Sequence, residues 1–315
     1  MCKKPLIILT GPTAVGKTAA SIGLAKAIGG EIISADSMQV YKYMDIGSAK
    51  ISKEEMDGVP HYLVDVLDPK DDFNVVRFQE MAKEAMDKIY ANGHIPIVVG
   101  GTGFYIQALL YDIDFTSEDD DKTYRTELEK LAEEKGGEYL HNMLKEVDPK
   151  SAEDIHANNV KRVIRALEYY HETGEKMSLH NEKEKPKTSA YNSAYFVLND
   201  DRSLLYERID KRVDKMVTSG LVEEVKSLKD MGLSKDMVSM QGLGYKEILS
   251  YLDGELSLED AIYILKRDTR HFAKRQLTWF KRERDVIWVD KNKFDHNEEA
   301  IKDFIVDTLN EKEII

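Results

Sequence analysis

The 315-residue chain exceeds a usual single domain, and its 42% hydrophobic content suffices for one large core with an inserted or appended piece. No apolar run approaches the ~20 residues that cross a bilayer, the chain enters its first apolar run with no room for a signal peptide, and the lone Cys2 excludes an internal disulfide or a multi-cysteine zinc site. The expectation is a cytoplasmic, monomeric protein of a reducing compartment with no membrane partner, whose net charge of −13 argues against indiscriminate nucleic-acid binding but allows a local basic face.

Four apolar residues without alternation, Leu6 to Leu9, suit a strand buried on both faces. Gly11-Pro12-Thr13-Ala14-Val15-Gly16-Lys17-Thr18 follows with the spacing of a phosphate-binding P-loop, in which glycines let successive backbone N–H groups cradle phosphate oxygens. Lys17 adds a point charge, and the Thr18 hydroxyl is a candidate Mg²⁺ ligand. Ala19, Ala20, Ile22, Leu24, Ala25 and Ile28 continue as a helix that Gly29-Gly30 ends, so the loop sits at a helix N-terminus whose dipole favours an anion. An ordinary glycine-rich turn is the plainer alternative, but strand, loop and helix all fall where a diphosphate or polyphosphate site needs them.

The next apolar strand, from Glu31, delivers Asp36, Ser37, Met38 and Gln39 at its carboxyl end, where ligands gather in doubly wound sheets. Asp36 either faces the phosphate crevice or only caps the following turn. His61 to Leu67 reads as another strand, and Phe78, Met81, Ala82, Ala85 and Ile89 recur at helical spacing until Asn92-Gly93. Ile95 to Val99 is a buried strand whose glycine-rich continuation places Thr102 beside the first two loops, ahead of a helix from Phe104 to Leu110.

Near Asp114 the texture changes. The acidic run Ser117–Asp121 and the proline-containing Glu182–Ser189 read as linkers around a charged, mostly helical insertion, giving three segments: 1–113 and 188–315 as the core, 114–187 as the insertion. Within the insertion, Asn159 precedes Lys161, Arg162 and Arg165, whose charges share a helix with inward-facing Val160, Val163, Ile164 and Leu167; a salt-bridged surface and an RNA phosphate contact both fit.

Tyr195–Leu198 returns to the sheet, and a helix marked by Leu205, Ile209, Val213 and Met216 carries Arg208 and Arg212, whose planar forks suit a diphosphate. Gln241-Gly-Leu-Gly244-Tyr245-Lys246 is a glycine-bearing turn. Between Lys266 and Arg284, eight Lys or Arg stand against two acidic residues, interleaved with Phe272, Trp279 and Phe280, an electrostatic footprint for a polyanion that includes Lys274 and Arg275. Val286–Val289 reads as a last strand before a charged helix.

In this order, the P-loop, Asp36-Ser-Met-Gln-Val-Tyr41, Asp45-Ile-Gly-Ser-Ala-Lys50, Val99-Gly-Gly-Thr-Gly103, the Arg208/Arg212 helix and Arg275-Gln-x-Thr-Trp-Phe280 together resemble the bacterial tRNA dimethylallyltransferases. Departures are small: Ser48 stands where Thr is common, Phe104 where Leu is common, and the eukaryotic relatives' C-terminal zinc finger is absent. The resemblance implies a P-loop kinase-like α/β core with a parallel sheet, a helical insertion that grips the tRNA anticodon stem-loop, and transfer of a dimethylallyl group from dimethylallyl diphosphate to the exocyclic N6 of the adenosine 3′ of the anticodon, position 37. It further implies that Thr13 through Thr18, with Mg²⁺ on Thr18 and Arg212, meet the leaving diphosphate, that Asp36 is the base with Thr102 near the diphosphate or the ribose-phosphate side of the flipped nucleotide, and that Ser37, Met38 and Gln39 read or wedge the base. Arg125, Asn159, Lys161 to Arg165 and Gln241 to Lys246 then face tRNA. The competing readings are an ATP-dependent small-molecule kinase, with Asp36 activating a hydroxyl, and a nucleotide-gated RNA-binding protein.

Overall fold

A strand covered on both faces needs apolar side chains at every position, and β1 (Pro5–Thr10) meets that condition, with Leu6, Ile7, Ile8 and Leu9 all buried. In the computed structural model, which describes residues 3–115, 123–184 and 188–315, β1 runs into α1 (Lys17–Ile28), β2 (Gly30–Ala35), a single-turn α2 (Lys53–Met56) and β3 (His61–Tyr62). Then come α3 (Val75–Ala91), β4 (Ile95–Gly100) and α4 (Gly103–Leu110). After the helices α5 (Thr123–Lys135), α6 (Gly137–Val147), α7 (Pro149–Asp154), α8 (Val160–Thr173) and α9 (Met177–Glu184), the sheet resumes with β5 (Asn192–Asn199). The remainder is α10 (Arg202–Thr218), α11 (Leu221–Asp230), α12 (Tyr245–Leu252), α13 (Leu258–Phe280), β6 (Val286–Asp290) and α14 (Glu298–Glu311). The Ser117–Asp121 linker, Pro186 and Cys2 lie outside the described residues.

The strands pair in the order β3-β2-β4-β1-β5-β6, every pair parallel. Successive residues of β1 serve opposite layers. Leu6 and Ile8 join a core with Phe78, Ile106, Val225, Ile248 and Phe280, while Ile7 and Leu9 join one with Leu24, Ile301 and Ile305. Helices therefore cover both faces, and β1, between β4 and β5, holds the loop after it at the middle of the sheet's carboxyl edge.

The described residues form two packing units, 1–112 with 189–315, and 113–188. The second has its own apolar core, in which Leu128, Leu140, Leu144, Val163, Ile164 and Leu167 are buried together. Ser151 and Ser178 fasten α7 and α9 to the buried carboxylate of Asp148, each donating a hydroxyl hydrogen bond at 2.6 Å. In the first unit, Ala190 N–H donates to the carbonyl of Leu110 at 3.1 Å, so the chain returns next to where it left.

One strand is shorter than the pattern predicts. The run from His61 to Leu67 pairs with β2 only at His61 and Tyr62, because Leu63 and Asp65 take φ of 61° and 59° and break the extended path. The rest turns toward the loop after β2: Asp65 N–H donates to Gln39 O at 2.9 Å and Val66 N–H to Val40 O at 2.8 Å.

Candidate active site

Asp36, Thr102 and the P-loop leave the carboxyl ends of β2, β4 and β1, neighbours in the sheet. Gly16, at φ 99°, caps α1 in a left-handed conformation that a side chain would strain, and lets the loop enter the helix. Lys17 folds back over the loop, its Nζ donating to the carbonyls of Gly11 and Pro12 at 2.9 Å each. Arg212, from α10, reaches the same loop and donates to Thr13 Oγ1 at 3.3 Å. The Thr102 N–H donates to Ala35 O at 3.3 Å, tying the β4 loop to the residue just before Asp36.

Asp36 does two things at once. Its Oδ1 accepts from the N–H groups of Met38 at 2.8 Å and Gln39 at 3.3 Å, the turn-capping role, and its charge acts on both cations of the crevice. Burial pushes the Lys17 ammonium down to about 8, Asp36 opposes that shift and Arg212 adds to it. Burial also lowers the Arg212 guanidinium, again opposed by Asp36. Two cations and a helix N-terminus thus gather around one carboxylate, a place suited to an anionic leaving group beside a base.

Other candidates separate on inspection. Arg208 forms a 2.6 Å ion pair with Asp200, just past β5, whose side chain is fully buried. Tyr245 is buried completely in the core and offers no surface to RNA, correcting its reading as a contact residue. Its neighbours Gly242 and Gly244 do pack by the loop after β2, since a Cβ on Gly242 would fall 2.5 Å from Met38 Cε and one on Gly244 3.8 Å from Gly47 Cα. Gln241 donates its side-chain amide to Lys235 O, and Lys246 lies 3.5 Å from Glu247. In the helical unit, Lys161 and Arg162 are exposed on α8, Asn159 stands at its N-cap, and Arg125 forms a 3.0 Å ion pair with Glu168. Burial raises the Glu168 carboxyl, while the charges of Arg125 and Arg165 oppose that.

The basic segment splits in two. Lys266 is committed to Asp214 at 2.6 Å, Arg267 to Asp268 at 2.8 Å and Arg270 to Asp210. Downstream, Ala273, Gln276 and Phe280 turn inward, while exposed Lys274 and Arg275 join His271, Thr278, Trp279 and Arg282 around an open cleft of about 450 Å³.

Two further side chains hold the P-loop that no motif marks. Gln276, 6% exposed, accepts from Thr13 N–H at 2.8 Å and donates to Gly101 O at 3.0 Å, bridging the P-loop to the Thr102 loop. A Cβ at Gly101 would lie 2.1 Å from its amide nitrogen. Lys291, just past β6, is buried beneath the loop, its Nζ 3.4 Å from Val15 O and paired with Glu298. A polar residue in the inward stripe of α13 was the available signal for Gln276, and a strand's carboxyl end for Lys291.

The sequence model of the IPP transferase family matches residues 39–283. The chain belongs to that family. Among members of the IPP transferase family, the tRNA dimethylallyltransferase of Lachnoclostridium phytofermentans is 63% identical over 313 residues, covering 99% of both chains. That of Acetivibrio thermocellus is 53% identical over 297 residues, 94% of this chain and 95% of the relative. In three dimensions the chain is similar to the full-length tRNA isopentenylpyrophosphate transferase of Bacillus halodurans, with a TM-score of 0.74 and 46% identity over 99% and 98% of the two chains. A eukaryotic dimethylallyltransferase acting on tRNA is similar with a TM-score of 0.80 and 32% identity, over 96% of this chain and 80% of that one. The family match begins at Gln39, so the P-loop and Asp36 precede it.

Proposed function

We propose that this IPP transferase moves a dimethylallyl group from dimethylallyl diphosphate to the exocyclic N6 of the adenosine 3′ of the anticodon, position 37, in tRNA. The observation that carries the reading is the meeting of Lys17, Arg212 and the P-loop with the Asp36 carboxylate at the carboxyl ends of adjacent strands. The relatives' names and folds favour it over a small-molecule kinase.

The N6 lone pair is delocalised into the ring, so the amine attacks well only as its proton leaves. As the N6–carbon bond forms, the allylic carbon–oxygen bond breaks, diphosphate departs with that electron pair, and Asp36 takes the proton. P-loop N–H groups, Lys17 and Arg212 stabilise the charge growing on the leaving group. Thr102, beside Asp36, faces the reacting groups, and Ser37, Met38 and Gln39 contact an adenosine turned out of its stack.

Mg²⁺ fits this donor set. The Thr18 hydroxyl at its P-loop position, together with substrate phosphates, makes the all-oxygen donor set that Mg²⁺ takes. Thr18 would hold the ion, which would neutralise part of the diphosphate charge. For the partner, we propose the tRNA anticodon stem-loop, bound by a single copy of the chain; the first unit offers it the exposed Lys274/Arg275 surface, and the helical unit separately offers Lys161 and Arg162 on α8. Among the described residues no helix is long and apolar enough to cross a membrane.

The test is to incubate the protein with unmodified tRNA and either labelled dimethylallyl diphosphate or labelled ATP. Label should enter tRNA only from the former; ATP consumption without an RNA product would reverse the reading. Asp36→Ala should cost about 100-fold or more in turnover while tRNA and diphosphate binding persist. Near-normal turnover would remove Asp36 as the base.

A further inference from the structure

Glu224, on α11, lies outside every group assigned above, yet its carboxylate collects four donors. Oε2 accepts from the N–H groups of Asp45 at 2.9 Å and Ile46 at 2.7 Å, and Oε1 from Gly47 N–H at 3.0 Å and the Tyr245 hydroxyl at 2.8 Å. Successive N–H groups turned to one point form an anion nest, and here the protein fills the nest with its own side chain. Tyr245 completes the clamp. While donating to Glu224, its hydroxyl accepts from Ser48 N–H at 3.1 Å, and its ring lies where a Cβ on Gly47 would come within 2.6 Å.

The held segment is irregular backbone, between the loop after β2 and the short α2, so its N–H groups depend on such partners. Its carbonyls do further work. Gln39 Nε2 donates to Ala49 O at 3.1 Å and Ser48 O at 3.4 Å. Those two carbonyls require the nitrogen of the carboxamide on their side, which leaves its oxygen as the atom available to a base.

We infer that Glu224 is a positioning residue for substrate selection: by clamping Asp45 to Gly47, with Tyr245, it sets the carbonyls that orient Gln39 so that Gln39 offers an acceptor to the exocyclic amine of the adenosine. This rests on the reading in which Gln39 meets that base. In Glu224→Gln one oxygen becomes an NH₂ facing backbone N–H donors, so the clamp opens on one side with little change of volume.

The experiment measures dimethylallyl transfer with tRNA and dimethylallyl diphosphate varied separately, for Glu224→Gln, Gln39→Ala and the double variant. A displaced contact of this kind costs on the order of 100-fold. Glu224→Gln should lower kcat/KM for tRNA by about that factor with KM for dimethylallyl diphosphate unchanged, and the double variant should lose no more than Gln39→Ala alone. Losses that multiply would overturn the inference, as would an unimpaired Glu224→Gln beside an impaired Gln39→Ala. Unaltered kinetics in Gln39→Ala would instead remove the base-reading role, and the inference with it. Should Glu224→Gln unfold, Tyr245→Phe keeps the ring against Gly47 and removes the hydroxyl that donates to Glu224 and accepts from Ser48 N–H; a loss confined to tRNA supports the clamp, and equal losses toward both substrates overturn it.

Discussion

Lys17 is held where its charge is least comfortable without a ligand. Burial brings its ammonium down to about 8, with Asp36 opposing and Arg212 assisting. A lysine lowered this way is charged below that pH and loses its proton as pH rises through it, so the free protein loses a diphosphate-binding cation on the alkaline side. We expect kcat/KM for dimethylallyl diphosphate to fall above about pH 8, because that ratio reports ionisations of the free protein. Removing the neighbours should shift the limb in opposite directions: Arg212→Ala to higher pH, Asp36→Asn, measured on its residual activity, to lower pH. Limbs that coincide in a pH–rate series would exclude Lys17 as their origin. The linkage to stability runs the opposite way. The folded protein binds fewer protons than the unfolded chain above about pH 8, so this group's contribution to unliganded stability rises with pH until the unfolded lysine titrates.

At the scale of elements, α13 joins two loops that the sheet leaves separate. Gln276 satisfies the half-buried N–H of Thr13 and the buried carbonyl of Gly101 with one carboxamide. Gln276→Leu keeps the helix and most of the volume but strands both groups, each worth about 1–3 kcal/mol when left unpaired. A lower unfolding midpoint together with a raised KM for dimethylallyl diphosphate is the expected outcome, measured by thermal melts and steady-state assays. The P-loop itself was legible because its chemistry lies in consecutive residues, and Asp36 and Thr102 because strand ends point to a common edge. Gln276, Glu224 and Lys291 were not, since each acts on a loop hundreds of positions or several elements away and nothing local marks the partner. The run from His61 reads as a longer strand than forms because its apolar pattern carries no sign that Leu63 and Asp65 take positive φ. Arg208 and Arg212 look alike on one helix face; their partners tell them apart, the buried Asp200 just past β5 for Arg208 and Thr13 of the P-loop for Arg212.

For the whole molecule, a net charge of −13 makes the location of cations more telling than their number. Lys266 and Arg270 are spent on α10, whereas Lys274 and Arg275 are exposed beside the cleft. Neutralising Lys274 and Arg275 together should weaken tRNA binding and flatten the slope of log K against log salt by about 2, whereas Lys266→Ala should leave the slope as it is. Filter-binding titrations across a salt series separate the two cases. The hydrogen bond from Ala190 to Leu110 reaches further. Because the polypeptide comes back to its point of departure, cutting away the intervening stretch would leave ends that a very short splice can rejoin at little entropic cost. A gene so shortened should still yield a sheet that captures dimethylallyl diphosphate, which calorimetry on the spliced protein would detect.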